Sequence, residues 1–219
     1  MRFLVTGATG FLGSRASALL AGRGHEVVAL ARPGGRERAL AADAVRVDVA
    51  EPGARELVAG CDVVLHFAGL PDPARARADP ARAVAANAGT TVNLLEACAE
   101  YDVGLVYPSS VRAGRTPPPD PYALSKRLGE EACAQHRARS AVVRLTSVFG
   151  PGQVAWEGAT GAIARFAAAA LEGRPIVIPG NAGRVRDFAY VDDVVPAFER
   201  VAGAGLWAKT FTAASGVAT

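Results

Sequence analysis

Thr6-Gly7-Ala8-Thr9-Gly10-Phe11-Leu12-Gly13 joins an apolar run to a helical pattern through three regularly spaced glycines. The preceding run, Arg2–Thr6, has the apolar, β-branched composition of a buried strand. Phe11–Arg23 carries apolar residues at helical spacing. A turn this tight needs residues without a Cβ atom, so that the backbone can approach a pyrophosphate at the positive end of the following helix. The stretch therefore predicts a dinucleotide-binding turn at the start of a Rossmann-type domain.

Strand and helix patterns alternate after this turn. The predicted strands are Glu26–Ala31, Ala44–Asp48, Asp62–Phe67, Val103–Pro108 and Ala141–Leu145, and the predicted helices are Pro52–Ala59, Ala81–Glu100 and Tyr122–Arg139. Apolar strands separated by helices pair in parallel, with helices covering both faces of the sheet. The pattern predicts an α/β fold with a doubly wound parallel sheet.

The pattern changes after Gly150, where glycine becomes frequent. The elements predicted there are a helix over Ile163–Glu172, a strand over Pro175–Ile178, a helix over Asp192–Ala202 and a strand over Lys209–Thr212. We expect a dinucleotide-binding Rossmann domain over residues 1–150 and a small C-terminal substrate lobe over residues 151–219.

Composition narrows the functional classes. The 219 residues carry a formal net charge of +3, but the arginines are spread along the chain, which argues against a nucleic-acid partner. No apolar run approaches the ~20 residues that cross a bilayer, and the early glycine turn leaves no room for a signal peptide, which predicts a cytoplasmic protein. Cys61, Cys98 and Cys133 form no CxxC motif and the histidines are scattered, so we predict buried free thiols and no metal site.

Tyr122-Ala123-Leu124-Ser125-Lys126 is a YxxxK motif at the start of a predicted helix. Residues four apart on a helix share a face, so both side chains can reach one groove. A phenol with an ordinary pKa of ~10 is a poor base at neutral pH, and a nearby ammonium lowers that pKa. Lys126 is one of only two lysines. We predict that Tyr122 transfers a proton to or from a substrate oxygen while hydride moves to or from a nicotinamide.

A hydroxyl is needed to hold that substrate oxygen, and Ser109 and Ser110 follow the predicted fifth strand. We favour Ser110 as the catalytic serine, with Ser109 as the second candidate. Tyr122 follows Ser110 by only 12 positions (122 − 110).

The glycine turn TGATGFLG resembles that of the extended short-chain dehydrogenases, in particular the NAD-dependent epimerase/dehydratase family. Further matching stretches are His66–Gly69, Asn87–Ala97, Arg144–Gly152, Gly173–Ile176 and Arg186–Val194, so that the resemblance covers essentially the whole chain. The family usually reads S-S-x-x-x-Y-G after the fifth strand, whereas this chain lacks the aromatic residue before Gly114 and has a shorter loop to Tyr122. It also carries fewer residues after the last match than the family usually does.

The resemblance implies roles for individual residues. Asp48 would hold the adenine amino group, Lys126 the nicotinamide ribose and Arg186 the diphosphate of a nucleotide-sugar. The predicted cofactor-binding residues are Gly7, Thr9, Gly10, Phe11, Leu12, Gly13, Arg32, Asp48, Val49, Phe67, Ala68, Gly69, Asn87, Tyr122 and Lys126. The predicted substrate-binding residues are Ser110, Tyr122 and Arg186. The resemblance also implies a homodimer formed through the two long helices.

The end of the second predicted strand bears on the choice of cofactor. An acidic residue there would bond the adenosine ribose and repel a 2′-phosphate. Ala31 occupies that position, and Arg32, helped by Arg36 or Arg38, could pair with a 2′-phosphate. The sequence favours NADP over NAD.

Three functions follow from these residues. The leading one is NAD(P)-dependent oxidoreduction of a nucleotide-activated sugar, of the epimerase, dehydratase or 4-ketoreductase type. The second is an NADPH-dependent ketoreductase acting on a small carbonyl or natural-product substrate. The third is a non-catalytic dinucleotide-binding sensor, against which the Tyr122–Lys126 pair argues.

Overall fold

The structure is a computed structural model that describes residues 1–34, 44–153, 161–178, 181 and 183–217. Its strands are β1 (Arg2–Thr6), β2 (Glu26–Ala31), β3 (Val45–Arg46), β4 (Val63–His66), β5 (Gly104–Ser110), β6 (Ser140–Leu145), β7 (Ser147–Phe149), β8 (Phe188–Tyr190) and β9 (Thr210–Ala213). Seven of them form one sheet in the order β3-β2-β1-β4-β5-β6-β9, while β7 and β8 form a separate pair. Every pairing is parallel. The predicted doubly wound α/β architecture is confirmed.

Helices connect these strands. They are α1 (Phe11–Gly22), α2 (Pro52–Glu56), α3 (Pro73–Ala78), α4 (Pro80–Val84), α5 (Thr90–Glu100), α6 (Pro121–Gln135), α7 (Ala162–Leu171) and α8 (Val191–Gly203), and a π-helical turn, Ala85–Gly89, joins α4 to α5. Asp residues cap three of them, and α6 shows why: Asp120 accepts the Ala123 N–H at 2.9 Å, and Pro121 starts the helix with no N–H to satisfy.

Alternate residues of the central strands feed two cores, one on each face of the sheet. Phe3 and Val5 of β1 pack on the face covered by α1 and α8, where Phe198 is fully buried. Leu4, between them, packs on the face covered by α2, α5 and α6. All residues of β4 and β5 are buried. Buried valine-rich strands of this kind are typical of a parallel sheet with both faces covered.

The strand order reverses at β1, which pairs with β2 on one side and β4 on the other. The carboxyl ends of β1 and β4 meet there, with Thr6 opposite His66. Open α/β sheets bind ligands in the crevice at such a switch point. The fold therefore places the glycine turn at the position where a ligand site is expected.

Several predicted elements differ in the structure. Pro175–Ile178 is not a strand, because no neighbouring strand of the described chain pairs with it, and its side chains from Ile176 to Ile178 are exposed. The predicted helix Ala81–Glu100 is interrupted by the π-helical turn, and α3, β7 and β8 were not predicted.

The last predicted strand was assigned to the C-terminal lobe, yet β9 pairs with β6 at the edge of the main sheet. Helix α8 also packs on the same face as α1. The boundary at residue 150 stays a prediction. The predicted Arg36 and Arg38 lie outside the described residues.

The three cysteines are free and buried, as predicted. Burial raises the pKa of Cys98 and of Cys133 to about 12. In the part of the chain that the structure describes, no helix has both the length and the apolar character needed to cross a bilayer.

Candidate active site

The glycine turn between β1 and α1 depends on its first and third glycines. Gly7 has a φ of 65°, and a Cβ on it would lie 2.7 Å from the backbone nitrogen of Ala68. A Cβ on Gly13 would lie 2.2 Å from the Gly7 carbonyl oxygen, so α1 could not start this close to the turn. No side chain of the described residues caps α1, and its first turn holds no acidic residue. The positive end of α1 thus faces the crevice, as an anion-binding helix does.

A chain of hydrogen bonds fixes the two strand ends beneath this turn. The Ala68 N–H donates to Thr6 Oγ1 (3.1 Å), and Thr6 Oγ1 lies 2.8 Å from Nδ1 of the fully buried His66. On the other side His66 Nε2 lies 3.2 Å from Thr90 Oγ1, which donates to the Ala86 carbonyl at 2.8 Å. Burial, and then the charge of Lys126, lower the pKa of His66 to about 3. His66 is therefore a neutral ring that accepts at Nδ1 and donates at Nε2.

The other predicted cofactor residues line the same edge of the sheet. Asp48 Oδ1 accepts the Ala50 N–H at 2.9 Å, so this carboxylate shapes its own loop. The carbonyl oxygen of the buried Val49 accepts from Asn93 Nδ2 of α5 at 2.6 Å. Phe67, which follows β4, packs edge-on against Phe198 of α8, with ring centroids 5.0 Å apart. This contact places α8 beside the crevice. The structure brings these positions together around the glycine turn.

Phe11 and Leu12 of α1, together with Ala68, are half-buried there, and Gly10, Gly69 and Arg32 are exposed.

Asn87, in the π-helical turn, is fully buried and bonded to protein on every side. Its Oδ1 accepts the Leu70 N–H at 2.7 Å, and its Nδ2 donates to the Leu70 carbonyl and to Ser125 Oγ. Its backbone carbonyl accepts the hydroxyls of Thr91 and Tyr107. A Cβ on Gly69 would lie 2.4 Å from Asn87 Oδ1. Asn87 therefore ties the loop after β4 to α6, the helix of Tyr122 and Lys126.

Tyr122 and Ser110 come together at the carboxyl end of β5. Burial raises the pKa of Tyr122 above its ordinary value, while a hydrogen bond with Ser110 and the charge of Arg112 lower it. The sequence predicted a phenol pKa lowered by Lys126. That expectation is wrong for this structure, in which burial is the largest effect and the two lowering influences come from Ser110 and Arg112.

Lys126 lies one turn further along α6 and is almost fully buried. Its ammonium donates to the Pro108 carbonyl at 2.9 Å and lies 4.7 Å from the centre of the Tyr107 ring. Burial lowers the pKa of Lys126 to about 8. Close approach of α6 to β5 is possible because residue 129 is glycine, since a Cβ there would lie 2.4 Å from the Tyr107 hydroxyl.

Ser109 points elsewhere than Ser110. Its hydroxyl donates to Glu130 Oε1 at 2.5 Å, and Arg144 pairs with both oxygens of Glu130, at 2.9 and 2.6 Å. The Ser109–Glu130–Arg144 cluster joins β5, α6 and β6 within the core. Ser109 is thus engaged in the core, and Ser110 stays the predicted catalytic serine.

The stretch Arg186–Val194 enters the site from the β7–β8 pair. Arg186 is half-buried, and its charge acts on Arg112. Asp187 accepts from the Ser215 N–H and hydroxyl and from the Gly216 N–H, which lowers its pKa. Asp192, in the first turn of α8, pairs with Arg15 of α1 at 2.5 and 2.6 Å. These two carboxylates hold in place the segment that follows Arg186.

Two residues near the site were not predicted from the sequence. Asp120 caps α6 and pairs with Arg112, which follows Ser110 by two residues. The Asp-Pro dipeptide before a helical pattern is a helix-start signal, so the position of Asp120 could have been found. Arg112 had no such signal, because it is one of many scattered arginines.

Comparison with known proteins gives concordant results. The chain matches the NAD dependent epimerase/dehydratase family over residues 3–206. It is 31% identical to UDP-glucose 4-epimerase of Mycolicibacterium smegmatis, across 100% of this chain and 79% of that protein. The solved UDP-glucose 4-epimerase of Thermus thermophilus in complex with NAD superposes with a TM-score of 0.84 at 30% identity, covering 100% of this chain and 79% of that one. MoeE5 in complex with UDP-glucose and NAD superposes with a TM-score of 0.85 at 28% identity, covering 100% and 78%.

Proposed function

The chain belongs to the NAD-dependent epimerase/dehydratase family of extended short-chain dehydrogenases, and we propose that it is the enzyme that oxidises C4 of a nucleotide-activated sugar by hydride transfer. The resulting keto sugar is then reduced again, dehydrated or released. The catalytic residues in this proposal are Ser110, Tyr122 and Lys126. C4 is favoured because the relatives from M. smegmatis and T. thermophilus are both named as 4-epimerases.

The placement of Ser110 and Tyr122 carries this proposal, because Ser110 ends β5 and Tyr122 lies in the first turn of α6, the helix that packs on that strand. A phenol and a hydroxyl at neighbouring positions can bind one substrate oxygen between them, with the serine holding the oxygen and the phenol exchanging its proton. Both lie at the carboxyl edge of the sheet that bears the glycine turn, where open α/β sheets bind their ligands.

The residues present fit a dinucleotide. Gly7 and Gly13 let the turn close tightly, because a Cβ on either would clash with backbone, and the uncapped positive end of α1 suits a pyrophosphate. Asp48 and Arg32 lie at the strand ends that reach the adenosine half. When bound, the nicotinamide ring supplies a hydride acceptor, and in the return step a hydride donor.

Tyr122 moves the proton that accompanies each hydride. With the dinucleotide bound, Tyr122 would accept the C4 hydroxyl proton in the oxidation direction, and it would first have to lose its own proton, because burial raises the pKa of its phenol. In reduction the phenol returns the proton to the ketone oxygen. With its pKa near 8, Lys126 is mostly protonated at neutral pH, and in this proposal it would bind the nicotinamide ribose. Ser110 keeps the sugar oxygen in line with the phenol.

Arg186 is the proposed partner of the nucleotide diphosphate. Its guanidinium matches phosphate geometry, and Asp187 and Asp192 anchor the segment that follows it. The substrate lobe over residues 151–219 then supplies the diphosphate contact, while the Rossmann domain over residues 1–150 supplies the reacting groups.

Arg32 favours a second candidate, an NADPH-dependent ketoreductase. It is exposed at the end of β2, where an acidic residue would repel a 2′-phosphate, and Ala31 before it is buried. Against this, the family description and both solved relatives name NAD. Measured dissociation constants for NAD and NADP, on the wild type and on Arg32→Asp, separate the two cofactors. A preference for NADP that disappears in the variant supports the ketoreductase.

The test of the main proposal uses the purified chain with NAD and a panel of UDP- and dTDP-sugars. We expect NAD to raise the melting temperature, and C4-modified products to appear by NMR. Tyr122→Phe should keep NAD binding and lose activity by about 10²- to 10⁴-fold, the usual contribution of a general acid–base group. A chain that binds no dinucleotide overturns the proposal.

Retention of activity by Tyr122→Phe assigns the proton step to another residue, and dinucleotide binding with no turnover of any sugar favours the non-catalytic sensor. An enzyme of the epimerase type keeps its cofactor through turnover, whereas a ketoreductase exchanges it. A cytoplasmic location and a homodimer complete the proposal.

A further inference from the structure

Ser125 lies between Tyr122 and Lys126 in α6, and its side chain is fully buried. The Ser125 hydroxyl donates a hydrogen bond to the backbone carbonyl of Tyr122 at 2.8 Å. The same oxygen accepts a hydrogen bond from Asn87 Nδ2, also at 2.8 Å. Because a hydroxyl has a single proton to donate, that proton is used inside the protein. Ser125 therefore acts on Tyr122 through the backbone.

Asn87 extends this contact to the β4 loop, which we define as residues 67–70. The Asn87 side chain accepts the Leu70 N–H at 2.7 Å and donates to the Leu70 carbonyl at 3.0 Å. Gly69 has a φ of 152°, and a Cβ on it would lie 2.4 Å from Asn87 Oδ1. One amide side chain thus binds the β4 loop through both of its polar atoms, and it binds Ser125 as well.

The β4 loop also borders the glycine turn. A Cβ on Gly7 would lie 2.7 Å from the backbone nitrogen of Ala68, so the turn and the loop are in direct contact. The glycine turn, the β4 loop, Asn87 and Ser125 therefore form one continuous series of contacts. This series begins where a pyrophosphate would bind and ends at the first turn of α6.

Helix stability alone does not account for a serine at position 125. A serine inside a helix that bonds a carbonyl of the preceding turn is neutral or slightly unfavourable for the helix, and alanine is the better helix former. A buried hydroxyl also costs free energy unless it is hydrogen-bonded. The bond from Asn87 is what an alanine could not replace, and it joins α6 to a different part of the fold.

We propose that Ser125 and Asn87 are positioning residues that couple the β4 loop to Tyr122, so that the dinucleotide and the phenol keep a fixed separation. This inference rests on the proposed function. A displacement of about 1 Å at a reacting group can cost roughly 100-fold in rate, so a contact through the backbone has a large effect on turnover.

The experiment measures kcat and KM with UDP-glucose, and the NAD dissociation constant by calorimetry, for the wild type and Ser125→Ala. We expect kcat to fall about 10- to 100-fold in the variant, with KM for UDP-glucose changed only a few-fold. The NAD dissociation constant should rise a few-fold, because the β4 loop loses its support. Helix α6 should stay docked, since the Tyr107 hydroxyl still donates to the Asn87 carbonyl and Lys126 to the Pro108 carbonyl.

Ser140→Ala is the matched control for a purely structural effect. The buried Ser140 hydroxyl donates to the Cys133 carbonyl at 2.9 Å, near the other end of α6. Both variants remove a serine hydroxyl that donates to a backbone carbonyl of the same helix. Urea unfolding should show a similar small loss of stability in both. Ser140→Ala should nevertheless keep the wild-type kcat and NAD affinity.

A double-mutant cycle tests whether Ser125 and Asn87 act as a pair. If they do, Asn87→Ala combined with Ser125→Ala should lower kcat and NAD affinity no more than Asn87→Ala alone, because residues in one contact are not additive. If Asn87 instead binds the dinucleotide directly, Asn87→Ala weakens NAD binding by itself and the two effects multiply. That result would overturn the coupling.

Each remaining outcome decides one proposal or the other. Wild-type kcat and NAD affinity in Ser125→Ala, or losses equal to those in Ser140→Ala, overturn the positioning role while the proposed function stands. If the wild type binds NAD and turns over no nucleotide sugar, the sugar chemistry fails. The NAD affinities of the same variants then decide the coupling, with a non-additive rise in dissociation constant supporting it and no change overturning it. A wild-type chain without affinity for NAD overturns the proposed function, and this inference with it.

Discussion

Ser109 and Ser110 are consecutive residues of β5, and the pleat of the strand sends their hydroxyls to different partners. Ser110 Oγ accepts the Arg112 N–H in the loop after β5, whereas Ser109 donates to Glu130 in the core. Adjacent residues of a strand point to opposite faces, so only one of two neighbouring serines can reach a given site. The register of the strand decides which of the two serines faces the crevice. Two identical consecutive residues in the sequence do not reveal that register.

The two serines should therefore respond differently to removal of the hydroxyl. Ser110→Ala should lower kcat about 10²- to 10³-fold, as loss of a preorganised donor does, with the folded structure intact. Ser109→Ala should keep kcat within a few-fold and destabilise the chain by about 1–2 kcal/mol, because a buried hydrogen bond to a charged group is lost. Steady-state kinetics and urea unfolding of both variants test this, and the reverse pattern would assign Ser109 to the site.

At the scale of elements, the junction of β1 and α1 depends on glycines, because a residue with a Cβ atom would not fit there. The contact between Gly13 and the Gly7 carbonyl sets how closely α1 follows the turn. Gly22, at the other end of the same helix, has open space around its Cβ position. The two positions form a matched pair within one helix.

Gly13→Ala should displace α1, weaken dinucleotide binding and destabilise the chain by about 1–3 kcal/mol, the usual cost of overpacking. Gly22→Ala should leave dinucleotide binding unchanged and stabilise the chain by up to about 1 kcal/mol, because alanine is the better helix former. Calorimetric titration with NAD and chemical denaturation measure the two effects. Equal NAD affinity in Gly13→Ala and the wild type would show that the turn does not hold the pyrophosphate.

The elements that could be predicted are those specified by local sequence. The glycine turn, the valine-rich strands and the YxxxK helix each carry a signal within a dozen residues. The π-helical turn does not, because it is stabilised by Thr90, Thr91 and Tyr107 hydroxyls that reach its carbonyls from outside the turn. The pairing of β7 with β8 joins segments about forty residues apart in sequence.

The predicted strand Pro175–Ile178 shows the opposite failure. Its apolar run has the composition of a strand, but a strand also needs a partner, and sequence composition does not supply one. Asp120 and Arg112 lay within the short loop that was recognised as a departure from the family pattern. The positions of the candidate site residues on regular elements were thus predictable, and those of the charged residues of the loop were not, while the catalytic roles stay predictions.

Helices α1 and α8 are joined by the Arg15–Asp192 pair, which makes stability depend on pH. The hydrogen bonds from Arg15 lower the pKa of Asp192 below its ordinary value. A depressed carboxyl pKa stabilises the folded state above the unfolded value of ~3.9, and the contribution is lost as pH falls through the folded pKa. Asp192→Asn should cost about 1 kcal/mol at pH 7 and nothing once both states are protonated in acid. Urea unfolding at pH 7 and below pH 4 measures the difference, and a cost that does not change with pH would contradict it.

Over the whole molecule, one sheet carries two different outer layers. On the face covered by α1 and α8, Phe67 packs against Phe198 beside the crevice. The opposite face contributes the reacting groups of α6, and it ends in helices α5 and α6 with Val92, Leu124 and Leu128 exposed. Leu124 and Leu128 are one turn apart, so they form part of a single apolar stripe. The predicted homodimer would give this stripe a partner.

The predicted homodimer would bury this stripe, and the proposal is testable by a single charge. Leu128→Glu should convert a dimer to a monomer in analytical ultracentrifugation, because an unpaired carboxylate at the centre of an apolar interface is strongly unfavourable. Leu171→Glu is the control, since Leu171 of α7 is more exposed and lies on a different helix. A wild-type monomer at high concentration, or a dimer that survives Leu128→Glu, would place the interface elsewhere. If the dimer forms through α6, its loss should also raise KM, because the same helix positions Tyr122 and Lys126 against β5.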